Sequence, residues 1–484
     1  MGKGRLEDSS SVDNFECQCK DEFRSACKGL PYYADAEGKR YCVLHYPRDA
    51  KEESDKQFQE ALDRKYRDQD FDFAGVYFPS VPDYFKGFAF KEYTSFLGAT
   101  FSKDADFSGA TFSERAGFSE ATFSERADFS GATFSERAGF SGATFSERAD
   151  FSGATFSELV GFSGATFSER ADFSGAIFSE RAGFSGATFS ELVGFSVAAF
   201  SERANFSGAT FSERANFSGT TFSKDADFSG ATFSGRTGFS GASFQDSARF
   251  FALEVFPRTA LIFSEAKVEN PERISFHTTY LRPSWFVDVD AQKFDFSDVE
   301  WFRLPNGDEL SLEDEVEALK RRKIEPSQSL RKLARACRRL MNNAEENRDY
   351  PTANEFHYWS MEAQRKEGWS RLGLIATLYW ALSGYGERPL RALEVLIAMY
   401  AVFAVLYMLI PSSPFSIFSW SDVCEYLGCI GQAATYSLSA LARLLPAEPK
   451  LSPGLFQFLV TVEGLLGPLQ IALLLLAVRR KVMR

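Results

Sequence analysis

Between residues 99 and 250 the chain repeats one hydrophobic and polar pattern without a missed step. Phenylalanine returns after six residues, then five, then six, from Phe101 through Phe107, Phe112, Phe118 and Phe123 to Phe250, 28 times in succession. Two positions before each Phe stands a compact residue. It is Ala in 24 of the 28 cases, and Val160, Val193, Thr220 and Thr237 in the others, so smallness belongs to the pattern. The positions between are mostly Ser, Gly, Glu, Arg and Asp. The unit reads Ala-Asp-Phe-Ser-Gly then Ala-Thr-Phe-Ser-Glu-Arg, an 11-residue repeat made of a five and a six. A fixed period of this kind defines architecture before local propensity is weighed.

Steps of five and six scatter successive Phe around a helix, which excludes a 3.6-residue period. Only the Ala-x-Phe triplet alternates, which argues against a flat sheet. Short extended triplets joined by turn residues predict a chain that corners every five or six residues. Four such sides close a coil, with Ala and Phe inward and Ser, Gly, Glu and Arg at corners or outside. Coils one strand spacing apart, ~4.8 Å, would stack the 28 sides as seven coils into a rod ~34 Å long. Solenoids need caps. From Phe71 to Phe96 the Phe spacing is irregular and interrupted by Pro79 and Pro82, which predicts degenerate first coils and a cap. From Phe250 to Trp301 the loose series Phe263, Phe276, Phe286, Phe294 and Phe296 predicts two or three more coils, so the solenoid is expected to span 71–302.

The Ala-x-Phe-x-x frame resembles the pentapeptide-repeat family, and the resemblance implies a right-handed quadrilateral β-helix. The sixth residue of alternate units (Glu-Arg where others have Gly) departs from that frame and is expected to widen two of the four corners. Some members of the family mimic DNA with an acidic surface and bind topoisomerases. Residues 99–250 hold 19 Asp and Glu against 12 Lys and Arg, a net of −7, with most Glu beside an Arg. That balance argues against a phosphate mimic and for a spacer or a docking surface for a protein partner.

Beyond residue 308 the pattern changes to helical. Leu330, Leu333, Cys337, Leu340 and Met341 fall on one helical face, with Cys337 in the core. After a turn at Asn342–Pro351 a second helix carries Ala353, Phe356, Trp359 and Met361. Residues 308–367 therefore read as an αα-hairpin, resembling the linker helices of other pentapeptide-repeat membrane proteins. Its basic run Arg331, Lys332, Arg335, Arg338 and Arg339 reads as a solvated face, with contact to anionic lipid heads as the alternative. Residues 369–386, with Trp369, Tyr379, Trp380 and Tyr385, are too short to span and suit an interfacial helix. Residues 389–410 and 455–478 have the length and apolar character of membrane crossings. Basic residues precede the first span (Arg371, Arg388, Arg391) and follow the second (Arg479, Arg480, Lys481, Arg484), which predicts an inner-membrane protein with both termini and the solenoid in the cytoplasm.

The connecting segment holds Leu427–Leu445, which reads as a helix too short and polar to span. Within it, Tyr436-Ser437-Leu438-Ser439-Ala440-Leu441 is similar to the pore helix of two-transmembrane potassium channels, and the second span resembles the closing helix of that module. The resemblance implies a pore-loop module over residues 387–484 and a homo-oligomer, a tetramer favoured. Potassium filters need a glycine-containing run whose carbonyls replace the hydration shell. The aligned Ala442-Arg443-Leu444-Leu445-Pro446-Ala447 has no Gly, so selective potassium conduction by that route is not expected. Glu463 within the second span is costly and marks a functional position. Gly467 and Gln470 follow on the same helical face, suited to lining water or packing another helix. Glu463, Gly467, Gln470, Tyr436 and Ser437 are thus the candidate pore or coupling residues.

At the other end, residues 1–14 read as disordered, and residues 49–70 hold a short charged helix with Phe58, Leu62 and Tyr66. Between them, in residues 1–48, lie Cys17, Cys19, Cys27, Cys42 and His45. Zinc takes four N and S ligands in a tetrahedron. Cys27, Cys42 and His45, with Cys17 or Cys19, would complete a structural site, and a metal would supply folding energy to a segment with little core. Ordinary thiols or a disulfide are the alternatives, the latter disfavoured in the cytosol.

The net charge of −12 argues against nucleic acid as a partner. No Gly-rich phosphate loop, nucleophile elbow or His-Glu-x-x-His is present, and the three His are far apart in sequence, so no enzymatic activity is expected. The leading expectation is a channel-like oligomer in the lipid bilayer whose soluble rod senses or docks a partner. A non-conducting anchored scaffold is the alternative.

Overall fold

The computed structural model describes residues 15–27, 29–36, 38–46, 56–79, 84–322, 324–367, 371–409, 430–438 and 455–482. The expectation of disorder in 1–14 and the filter-aligned segment 442–447 lie outside these residues. The chain divides into two compact units, Met1–Ser311 and Leu312–Arg484.

The first unit is a β-solenoid. Each side of a coil contributes a strand of two or a few residues, and these strands stack in parallel into four sheets of nine, eight, nine and ten strands. The longest sheet thus sets about ten turns. Register follows the repeat: Thr122 pairs with Thr100 and Thr144, 22 residues before and after, so two 11-residue units make one coil.

Identical residues therefore lie above one another, and the Phe rings form four columns. Phe123 lies between Phe101 and Phe145 at centroid separations of 4.8 Å, with planes parallel to within 1°. Across the core, columns on opposite sides meet edge to face, as for Phe107 and Phe118 at 5.5 Å and 88°. Both geometries suit the ring quadrupole, though offset stacking and edge contact are worth only about 0.5–1.5 kcal/mol each beyond burial. The Ala positions beneath are equally buried. A larger side chain there would meet the next ring.

The two corner types differ as the five and six predict. In the five-residue step the backbone closes a turn, Ala110 N–H donating to the Phe107 carbonyl at 3.0 Å, and the third turn residue, Gly109, takes φ +64°. Such a turn needs positive φ at that place, which glycine supplies without strain. Glu120 and Val197 occupy it at φ +58° and +52°. In the six-residue step the corner is held by the neighbouring coil, the Arg137 carbonyl accepting from Ala116 N–H at 3.1 Å.

The outer charges are ion-paired in places, whereas Glu136 stands near Glu114 and Glu158, whose like charges push its carboxyl up. Arg126, Arg148 and Arg170 reach Asp128, Asp150 and Asp172 on one side of the rod. Burial opposes the charge of Asp172, but the Ser174 hydroxyl and amide and the Arg170 guanidinium prevail and hold its carboxyl below the usual range. Beyond the regular repeats, Phe250 continues through Phe276 to Phe296 on one face, while the other three faces gain one strand each. The end is covered by Trp301, in edge contact with Phe286 and Phe296. At the start, α1 (Lys56–Arg67) lays Phe58, Ala61 and Leu62 on the first coil, with Phe58 edge-on to Phe78.

The second unit is helical. Helices α2 (Leu312–Arg321), α3 (Pro326–Glu346) and α4 (Tyr350–Glu367) form a hairpin of α3 and α4 with α2 beside it. The hairpin is as expected, but α2 is an additional helix, set off from α3 by Pro326. The turn is also shorter, because Asn343 is buried and its side chain accepts from Asn347 at 3.1 Å, keeping α3 helical to Glu346. Helices α5 (Arg371–Ser383) and α6 (Pro389–Leu409) follow; residues 430–438 form α7, and α8 runs Leu455–Val482. Pro389–Leu409 and Phe458–Arg479 are long and apolar enough to cross a membrane. Tyr385 donates to Glu362 at 3.0 Å, while Arg365 and Arg391 lie over the Trp380 ring, joining α4, α5 and α6.

The corner geometry makes a prediction. Gly131→Val, at φ +63°, should cost about 1–2 kcal/mol. Val197→Gly should gain less, about 0.5–1 kcal/mol, because glycine also loosens the unfolded chain. Native-state hydrogen exchange of the amides flanking each corner measures both.

Candidate metal centre and buried polar cluster

The hairpin Tyr32–Ala36 and Lys39–Cys42 pairs antiparallel and delivers Cys42 at its end. Val43 and Leu44 then turn the chain so that His45 faces back, while the short helix Asp21–Cys27 brings Cys27 and Cys17, in the extended segment before it, closes the group. The ligand atoms of Cys17, Cys27, Cys42 and His45 all lie within 4.8 Å of one another, and all four residues are buried. His45 Nδ1 is 3.4 Å from Cys42 Sγ and 3.9 Å from Cys17 Sγ. Zinc bond lengths in a tetrahedron demand S···N separations of about 3.6 Å, which these values bracket.

The tautomer is fixed by the far side of the ring. His45 Nε2 donates to the Ala74 carbonyl at 2.8 Å, a group that can only accept, so Nδ1 is the nitrogen left to face the Cys17 and Cys42 sulfurs. Hydrogen bonds from Cys27 and Cys42 lower the Cys17 thiol strongly, and the same contacts raise Cys27. Burial works to lower His45, but contacts with Cys17, Cys19 and Cys42 outweigh it and push the imidazole up to about 12. Three thiols and an imidazole that converge in a buried pocket are a donor set suited to a zinc-class cation. Of the two thiols left open by the sequence, Cys17 joins the group; Cys19 stays half-buried outside it, its Sγ 4.0 Å from the Cys17 carbonyl. The described cysteines are free thiols.

In the helical unit Glu463 is fully buried and accepts hydrogen bonds from the Tyr407 hydroxyl of α6 and the Ser437 hydroxyl of α7. Ser437 also lies 3.3 Å from the Tyr400 carbonyl. Tyr436 meets the Tyr407 ring edge-on at 5.7 Å. One carboxylate thus ties α8 to α6 and α7. Two turns along α8, Gln470 donates to the carbonyls of Leu382 and Ala392 at 2.8 and 2.9 Å, tying α8 to the end of α5 and the start of α6. Glu463 and Gln470 share a face, as their spacing implies, but serve two junctions. Gly467 lies buried between them.

A family model described as pentapeptide repeats (9 copies) matches residues 85–133, 96–144, 140–187, 173–221, 184–232 and 217–250. Residues 85–250 are pentapeptide repeats. Comparison with curated proteins and with solved structures finds no match. The pentapeptide-repeat match includes neither the thiol cluster nor the helices, so these stand on their own geometry.

The residue that sequence reasoning missed is Tyr407. Its signal was present, a phenol inside an apolar span, but nothing in the sequence pairs it with a position 56 residues away. Ala74 was invisible for a different reason, since it acts through its backbone.

Glu463→Ala would remove the carboxylate that the Tyr407 and Ser437 hydroxyls share. It should destabilise the helical unit by about 1–3 kcal/mol, and Tyr407→Phe should cost less. Thermal unfolding in detergent, followed by helical signal, measures the difference.

Proposed function

We propose that this protein is a membrane-anchored pentapeptide-repeat scaffold, in which two spanning helices hold a cytoplasmic β-solenoid at the inner membrane for docking of a protein partner. The observation that carries the reading is the bonding of Glu463. Its carboxylate is consumed by Tyr407 and Ser437 of the same chain, which makes it a joint between helices instead of a free group facing a water path. The glycine-free sequence at 442–447 points the same way. The arrangement of Arg and Lys around the spans supports a cytoplasmic solenoid. The net-negative solenoid surface, ion-paired along one side, suits a protein partner better than nucleic acid, and no catalytic step is assigned.

A second reading is favoured by α7, a short helix whose Ser437 and Tyr436 contact both spans. A span, a short helix and a second span is the plan of a pore-loop channel, and such a pore needs several copies. The thiol cluster, in either reading, is assigned as a structural zinc site of three thiolates and one imidazole.

Flux assays on proteoliposomes containing the purified chain separate the two. The scaffold reading expects no ion flux above empty vesicles, with protein shown to be inserted. Flux that Glu463→Gln alters would overturn it in favour of the channel.

A further inference from the structure

A parallel solenoid has an unpaired strand edge at its start, a template for another chain unless it is covered. Along the nine-stranded sheet that holds Thr100 and Thr122, the first strand residue donates its N–H to the coil before it: Thr122 to the Ala99 carbonyl at 2.8 Å, and Thr100 to that of Val76 at 2.9 Å. Tyr77 begins the first strand of that sheet and has no coil before it. Its N–H donates instead to the Leu44 carbonyl at 2.9 Å. Leu44 lies within the Cys42-Val43-Leu44-His45 turn, between two of the four clustered ligands. The turn therefore stands where a preceding coil would stand.

Two further contacts fasten it there. His45 Nε2 donates to the Ala74 carbonyl of the same first coil, so the ring that offers Nδ1 to the cluster also grips the solenoid. Phe23, in the short helix that carries Cys27, packs with Ala26, Ala74 and Leu97. Its ring crosses two successive glycine corners: a Cβ on Gly75 would come within 2.2 Å of it, and one on Gly98 within 2.6 Å. Both corners are bare where the module lies. The regular corners at Gly109, Gly131 and Gly153 have open space instead.

We infer that the Cys17, Cys27, Cys42 and His45 site is a metal-dependent lock on the N-terminal edge of the solenoid: a zinc-class ion that fixes the Cys42–His45 turn thereby closes the first coil. The inference rests on the zinc assignment above and adds a consequence to it. The residues that hold the ion and those that cap the edge are the same short turn. Metal binding and edge closure are therefore coupled: the factor by which the ion strengthens docking is the factor by which docking strengthens ion binding.

The test uses the full chain in detergent. Zinc content and affinity are measured first; a chain that binds no zinc removes the metal assignment and the inference with it. With zinc bound, stripping by a chelator should raise the exchange rate of the Tyr77 amide about a hundredfold and leave the amides of residues 140–170 protected. An unchanged Tyr77 amide, or loss of protection along the whole solenoid, overturns the lock while the zinc site stands. The reciprocal arm places a change on the solenoid side, away from any ligand. Gly98→Ala pushes against Phe23 and should weaken zinc about tenfold. Gly131→Ala, with the same positive φ but open space, is the control and should leave affinity unchanged. Equal zinc affinity in the two variants overturns the coupling.

Discussion

The structure depends on stacking one phenylalanine upon another 22 residues away. No coil can bury four rings by itself, since each ring needs a ring above and one below. Burial of a Phe contributes about 1.5–3 kcal/mol, but only when both neighbouring coils are present. Stability in such an array is a sum of neighbour terms, which is why the small residue two places before each Phe matters as much as the ring. The corners follow from the same demand. A five-residue step needs positive φ and takes Gly, whereas a six-residue step spends its extra residue on a wider bend whose Arg carbonyl serves the coil before it.

An array of this kind is vulnerable at its ends. The C-terminal end is closed by Trp301 against Phe286 and Phe296, and the N-terminal end by α1 over the rings and by the thiol-bearing turn over the backbone. Side chains alone suffice where a tryptophan is available. At the other end the unpaired group is a backbone N–H, and the carbonyl that meets it must be held rigidly. A site with four ligands around a short turn provides that rigidity.

The repeat was legible because its period is long, faithful and incompatible with a helix; coil length, four sides and inward Phe all follow from the steps of five and six. The thiol cluster was legible as ligand types in a short polar segment, but the choice between Cys17 and Cys19 required three dimensions. So did the function of Leu44 and Ala74, whose parts are played by carbonyls that every residue possesses. Helix α2 escaped the sequence reading because its few apolar positions do not stand out in a charged run. The partner of Glu463 escaped because a tyrosine among apolar residues reads as one more hydrophobe.

The central claim, that coils of 22 residues stacked in phase hold the molecule, can be tested by removing one. Deleting residues 140–161 takes out a whole coil and brings identical positions back into register, so the shortened chain should unfold within a few degrees of the parent. Deleting only residues 140–147 breaks all four Phe columns and should abolish the cooperative transition. A chain that tolerates both deletions equally, or neither, would contradict the account.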